Sequence, residues 1–166
     1  MRELNIANIP PAGDERPMRS VVQRVDRASV SVGECTISRI ENGLLVFLGV
    51  EGGDTEVDAD FLLEKIINLR VFEDTQGKMN LSLIDTSGGM LIISQFTLLA
   101  DCRKGRRPSF IAAADPENAR RLYDYFVVKA GEKVKRVGTG EFQAMMKIDS
   151  INDGPVTLLL DSRKQF

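Results

Sequence analysis

Along the first third of the chain the apolar positions recur with the short period of strands. From Met18 to about Val32, residues Val21, Val25 and Ser29 with small and β-branched neighbours predict a strand, Gly33-Glu34 a hairpin turn, and Cys35 to Ile40 the returning strand. Asn42-Gly43 marks a second turn, which feeds Leu44 to Val50, an unbroken apolar run short enough to be a strand buried on both faces. The period then lengthens. Asp54 or Thr55 can cap a helix running to about Leu69, with Val57, Phe61, Leu62, Lys65, Ile66 and Leu69 forming a mainly apolar face that should cover a sheet. Val71-Phe72, Met79 to Leu83 and Met90 to Phe96 read as further strands, separated by turns at Gln76-Gly77 and Ser87-Gly88-Gly89. A second helix has the clearer start: Asp115 caps it, Pro116 suits its first position and Glu117 meets the positive end of its dipole, while Gly131 predicts its end. Lys133 to Val137, Phe142 to Asn152 and Val156 to Leu160 complete the chain as strands.

The order of elements, strands interrupted twice by a helix, is that of an α/β domain. Its 166 residues suffice for one core without a disulfide or a metal. Residues 1–17 carry Pro10, Pro11, Gly13 and Pro17 with little periodicity, and are read as a disordered or misassigned extension ahead of a domain spanning 18–166. They also lack the apolar stretch of a secretory signal, so the expected location is the cytoplasm. No apolar run approaches the roughly 18 residues of a membrane span.

Composition narrows the chemistry. There is no histidine, which removes Ser-His-Asp and Cys-His triads, histidine-based zinc sites and any imidazole general base. Cys35 and Cys102 are far apart and match no metal or redox motif, so both are expected to be free thiols. No metal and no cofactor is expected. A net charge of −2 argues against indiscriminate coating of nucleic acid, leaving only a local basic patch to grip phosphates.

Three segments could carry function: Ser94-Gln95-Phe96-Thr97 at the end of an apolar strand, the basic loop Arg103-Lys104-Gly105-Arg106-Arg107, and Asn152-Asp153-Gly154-Pro155-Val156-Thr157. Each alone has an ordinary explanation, as a strand-ending turn, a solvated surface loop and turn chemistry before a strand. Together and in order they resemble the D-aminoacyl-tRNA deacylase family. The likeness begins at Met18-Arg19 with Val21 to Val25. It continues through Ala28-Ser29-Val30, Gly43 to Val46 and Lys78-Met79-Asn80, includes the family's SQFTL motif at Ser94 to Leu98, and ends with its NxGPVT motif at Asn152 to Thr157.

The resemblance implies a single-domain, three-layer β/β/α subunit with mostly antiparallel, barrel-like sheets and two main helices. It implies a homodimer in which Gly154 and Pro155 of one chain, joined by a cis bond, enter the pocket of the other and occupy the space that an L side chain would need. That is specificity by a built-in clash. The implied reaction is hydrolysis of the ester between a D-amino acid and the acceptor end of tRNA, with Ser94, Gln95, Phe96 and Thr97 as catalytic-site residues. Glycine, lacking a side chain, escapes the clash, which extends the expectation to glycyl-tRNA. Thr97 has no imidazole to activate it, so backbone N–H groups near Phe96 and Thr97 are expected to hold the oxyanion, and the resemblance adds a ribose 2′-hydroxyl that positions or activates water. Arg103, Lys104, Arg106 and Arg107 follow closely enough to meet acceptor-end phosphates. Two rival readings are a non-catalytic nucleic-acid-binding module of the same fold and a related deacylase of relaxed chirality.

Overall fold

In the computed structural model, which describes residues 17–165, one long strand organises the sheet. Strand β1 (Arg19–Val32) pairs antiparallel on one side with β3 (Gly43–Gly49) along its first half and with β2 (Cys35–Ile40) along its second, and on the other side with β8 (Met146–Asp161) over nearly its whole length. The sheet continues in parallel from β3 to β6 (Gly89–Ser94) and on to β7 (Arg136–Thr139). It nearly closes there, because Arg136 donates to the Arg39 carbonyl of β2 and the Thr139 N–H donates to the Ser38 hydroxyl. A separate hairpin is made by β4 (Phe72–Glu73) and β5 (Met79–Leu81).

The apolar run of β3 is buried on both faces because the sheet has two cores. Leu44, Val46 and Leu48 meet the helices, whereas Leu45 and the partly buried Phe47 point into the barrel. Met90 and Ile92 of β6 divide from Leu91 and Ile93 in the same way. In β1, Val25 lies in the barrel with Ala28 and Val30 despite their opposite parity. The register shift between Val25 and Arg27 supplies the change of face, since one extra residue turns every later side chain over.

Helix α1 (Glu56–Ile67) starts at Thr55, whose backbone N–H donates to the Asp58 carboxylate at 2.8 Å. Its inward stripe is Ala59, Leu62, Leu63, Ile66 and Ile67. The face expected from sequence was partly misplaced: Val57 is 75% exposed and Lys65 is exposed. Helix α3 (Pro116–Lys133) is capped by Asp115, which accepts from the Asn118 N–H at 3.0 Å, but it runs through Gly131 and ends at Val134. The packing of Ala130 and Val134 in the core carries the last turn past the glycine. The strand expected at Met79 to Leu83 stops at Leu81, since Ser82 caps a short helix, α2 (Leu83–Thr86). Similarly, Met90 to Phe96 is strand only to Ser94.

The two C-terminal strands expected from sequence are one. Gln23 pairs with Thr157 and Val25 with Asn152, so Asp153 to Val156 bulge out of β8 opposite Arg24 and the pairing then resumes. Phe142, expected in a strand, lies in the turn before β8. The expectation for residues 1–17 falls mostly outside the described residues. Pro17 is described and buried, and the fully buried Met18 accepts from the Ser162 N–H at 3.0 Å. No helix among the described residues is long and apolar enough to cross a membrane.

Where β3 hands over to α1, Asp54 is 4% exposed and accepts the Glu51 N–H at 2.6 Å. Burial, helped by the nearby Asp58 and Glu51 charges and opposed by backbone hydrogen bonds from Glu51 and Met18, pushes its carboxyl from 3.8 up to about 7. A folded value above the unfolded one means that the folded state holds the proton more tightly. This contribution to stability is therefore complete below about pH 4 and lost as pH rises to about 7. Asp58 is held below the ordinary value by its Ser162, Thr55 and Arg163 hydrogen bonds against an opposing burial effect, so its own linkage lies at lower pH. Asp54→Asn keeps an acceptor for the Glu51 N–H and should flatten the fall in stability between about pH 4 and 7, read from urea midpoints across that range. An unchanged slope would refute this assignment.

Candidate active site

The last residue of β6, Ser94, lines an open cleft of about 800 Å³. Such a volume suits a small-molecule-sized group. The Gln95 N–H donates to the Leu48 carbonyl at 2.8 Å, extending the pairing with β3 by one residue, after which the chain tightens into the 3-10 turn Phe96–Leu99. The first bond of that turn runs from the Leu98 N–H to the Gln95 carbonyl at 3.2 Å. The N–H groups of Phe96 and Thr97 precede it and have no acceptor within the turn. The Gln95 side-chain amide donates to the Thr97 hydroxyl. Phe96 is 56% exposed, and its ring meets Phe110 edge-on with centroids 5.1 Å apart.

All four residues Ser94, Gln95, Phe96 and Thr97 line the cleft. The facing walls were not legible in the sequence. One comprises Ala113, Ala114, Pro116 and Ala119, from the loop before α3 and its first turns; the other runs from Phe142 to Met146 and includes Ile148. Phe142 is held against Tyr123, with ring centroids 6.0 Å apart, and under the Arg120 guanidinium, 5.8 Å from its centroid. Tyr123 donates to the Ile92 carbonyl at 2.8 Å, and its burial pushes the phenol up to about 12, so it is a fixed donor and packing surface. A run of small residues such as Ala112-Ala113-Ala114 was the available signal for the first wall.

The other expected site residues stand away from this cleft. Arg103, Lys104, Arg106 and Arg107 are exposed on a loop closed by reciprocal backbone bonds between Asp101 and Ser109, at 2.8 and 3.0 Å. Arg103 forks onto the Asp101 carboxylate at 2.9 and 2.7 Å. Gly154 and Pro155 are exposed, joined by a cis bond, and do not line the cleft of their own chain. Their bulge is tied down from within. Arg24, 5% exposed, donates to the Asp153 carbonyl at 3.2 Å, pairs with its carboxylate at 3.0 Å and donates to the Val71 carbonyl at 2.7 Å. Asn152 accepts the Val156 N–H at 2.9 Å and donates to the Thr157 hydroxyl at 3.0 Å. Sequence reasoning missed Arg24, because an arginine on a strand normally reads as a surface residue.

Fold and cleft together define a mixed α/β protein with a nearly closed sheet and a substrate-sized pocket at the end of a central strand. The profile described as D-Tyr-tRNA(Tyr) deacylase matches residues 21–161. A protein named D-aminoacyl-tRNA deacylase from Syntrophus aciditrophicus is 62% identical over 149 residues, 90% of this chain and the whole of that one. Another of that name from Clostridioides difficile is 57% identical over the same shares. A solved structure titled c-Myc DNA Unwinding Element Binding Protein superposes with a TM-score of 0.82 at 41% identity, over 86% of this chain and 97% of that one. A structure titled as that of a probable eukaryotic D-amino acid tRNA deacylase shares the fold at a TM-score of 0.73 and 18% identity, over 88% and 100%. The chain belongs to the D-Tyr-tRNA(Tyr) deacylase family.

Proposed function

We propose that this protein hydrolyses the ester joining a D-amino acid to the terminal ribose of tRNA, releasing the free D-amino acid and tRNA. The carrying observation, beside membership of the family, is the Ser94–Thr97 junction, whose four residues line the cleft and whose Phe96 and Thr97 N–H groups come before the first bond of the 3-10 turn. In the reaction water attacks the ester carbonyl, the N–H groups of Phe96 and Thr97 hold the oxyanion, and the ribose oxygen leaves with a proton. The ribose 2′-hydroxyl positions or activates the water. Gln95 and Phe96 orient the substrate, Ser94 shapes the floor, and Thr97, bonded to an amide and not to a base, is no acyl acceptor. Trapping an acyl-Thr97 adduct by mass spectrometry would overturn that part. The domain with this activity is taken as residues 18–166, supported by relatives whose whole length matches 149 or 150 residues here.

Chirality is assigned to Gly154 and Pro155 acting in the cleft of a second copy of the chain, in a homodimer with its site at the interface. Both residues are exposed and lie outside their own cleft, which supports a role in a neighbour's. Their carbonyls take the place of an L side chain and leave D side chains and glycine accepted. The test compares D-tyrosyl-tRNA with L-tyrosyl-tRNA in the wild type and in Gly154→Ala. At this residue φ is +129°, and an added Cβ would fall 2.7 Å from Val156 Cγ2 and 3.1 Å from Arg24 Nη2, so the bulge must move. Cleavage of the D ester alone by the wild type, with selectivity eroded in the variant, is expected. Failure of folded wild type to cleave either ester would sink the proposal and favour a non-catalytic nucleic-acid-binding module.

The basic loop is assigned to acceptor-end phosphates. Neutralising Arg103, Lys104, Arg106 and Arg107 together should weaken tRNA binding and reduce the slope of log K against log salt by roughly 0.7 for each phosphate that is no longer neutralised. An unchanged slope would return the loop to solvent.

A further inference from the structure

The 3-10 turn Phe96–Leu99 rests on two residues that do not line the cleft. Arg19 opens β1, Gly49 closes β3, and the two are register partners across the sheet. Arg19 reaches over the turn and its Nη1 donates to the Leu98 carbonyl at 3.0 Å. From below, the turn lies almost on the Gly49 α-carbon. A Cβ placed there would sit 2.5 Å from Leu99 Cδ2, 3.0 Å from the Gln95 carbonyl oxygen and 3.1 Å from Leu98 Cβ. The turn is thus packed tightly on the end of β3 with a cation on one of its carbonyls, and a side chain at position 49 would crowd Leu99 and force the turn to give by a few tenths of an ångström.

We propose that Arg19 and Gly49 form a seat that sets the position of the Phe96 and Thr97 N–H groups relative to the scissile ester, with Arg19 as a positioning residue. This rests on the reading that those two N–H groups hold the oxyanion. The guanidinium makes a charge-assisted bond at the carbonyl end of the turn, and the donors are at the other end of the same four residues. Displacements near 1 Å at reacting centres cost on the order of 100-fold in rate, so a seat that is loosened without unfolding the protein should act on the chemical step and not on tRNA binding.

The experiment is single-turnover hydrolysis of D-tyrosyl-tRNA with protein in excess, well below the unfolding temperature, for wild type, Arg19→Met, Arg19→Lys and Gly49→Ala. Arg19→Met and Gly49→Ala should each slow the limiting rate by about 10–100-fold, with the half-saturating protein concentration unchanged to within about twofold. Arg19→Lys, which keeps a charged donor, should recover most of the loss. In folded Arg19→Met the amides of Leu98 and Ala100 should exchange faster while the β3 and β6 amides do not. Limiting rates of folded Arg19→Met and Gly49→Ala equal to wild type, or unchanged exchange at Leu98 and Ala100, would overturn the seat. If Arg19→Met does not fold, Gly49→Ala decides by the same rate criterion. Inactive wild type would sink the oxyanion reading, while the exchange measurement would still test the seat.

Discussion

Phe96→Pro is expected to lower the limiting rate of D-aminoacyl-tRNA hydrolysis by about 100–1,000-fold relative to Phe96→Ala, with substrate affinity the same in the two variants. The comparison isolates one peptide N–H. Both substitutions remove the aromatic ring and its edge-on packing with Phe110, but only proline removes the donor. Phe96 is the first residue of the 3-10 turn, where the N–H makes no bond within the turn and proline is well tolerated. The preceding Gln95 has φ −142° and ψ 81°, outside the helical region that a following proline disfavours. The turn should therefore survive. Loss of one oxyanion donor costs roughly 2.7–4 kcal/mol in the transition state, which sets the expected ratio. Equal rates for the two variants would show that the Phe96 N–H does not stabilise the oxyanion.

Gly43→Ala should yield little or no stably folded protein, a loss above about 3 kcal/mol against a typical total of about 5–15 kcal/mol. A Cβ at Gly43 would lie 1.9 Å from the Gly89 carbonyl oxygen and 2.7 Å from its carbon and nitrogen. These are backbone atoms and cannot swing aside. Gly89 is held by its N–H bond to the Asn42 carbonyl at 3.0 Å and by pairing with Arg136 in β7, so the parallel ladders at the heart of the sheet would have to part. Gly131→Ala is the control: nothing lies within 4 Å of the added Cβ and the residue is inside α3, so a gain of about 0.5–1 kcal/mol is expected. Soluble yield and urea midpoints separate the two, and a Gly43→Ala protein as stable as wild type would mean that the strands can spread at no cost.

Several local features were legible because their causes are local. The Leu44 to Val50 run implied a strand buried on both faces, and β3 has a core on each side. Asp115-Pro116 fixed the start of α3, and Gly33-Glu34 the first hairpin, through capping and turn chemistry that involve only a few neighbouring residues. The Ser94–Thr97 motif was also visible, though as the end of a strand. The 3-10 turn that replaces the strand end packs against Gly49 of β3 and accepts a bond from Arg19 of β1, contacts with distant positions that a local sequence pattern does not display.

Sequence by itself determined the strands from β1 to β3, the two long helices, the absence of histidine chemistry and, through its motifs, the family. Tertiary structure decided the rest. It joined two expected strands into β8, with the Asp153–Val156 bulge folded around a buried Arg24, because a pairing interrupted opposite β1 can resume after the interruption. It carried α3 past Gly131, because the burial of Ala130 and Val134 outweighs a weak local preference. It built the cleft from β6, the start of α3 and the turn before β8, and left Gly154 and Pro155 outside it. A pocket is an arrangement of surfaces from distant parts of the chain, set by packing between elements, and no local pattern of residues encodes that arrangement.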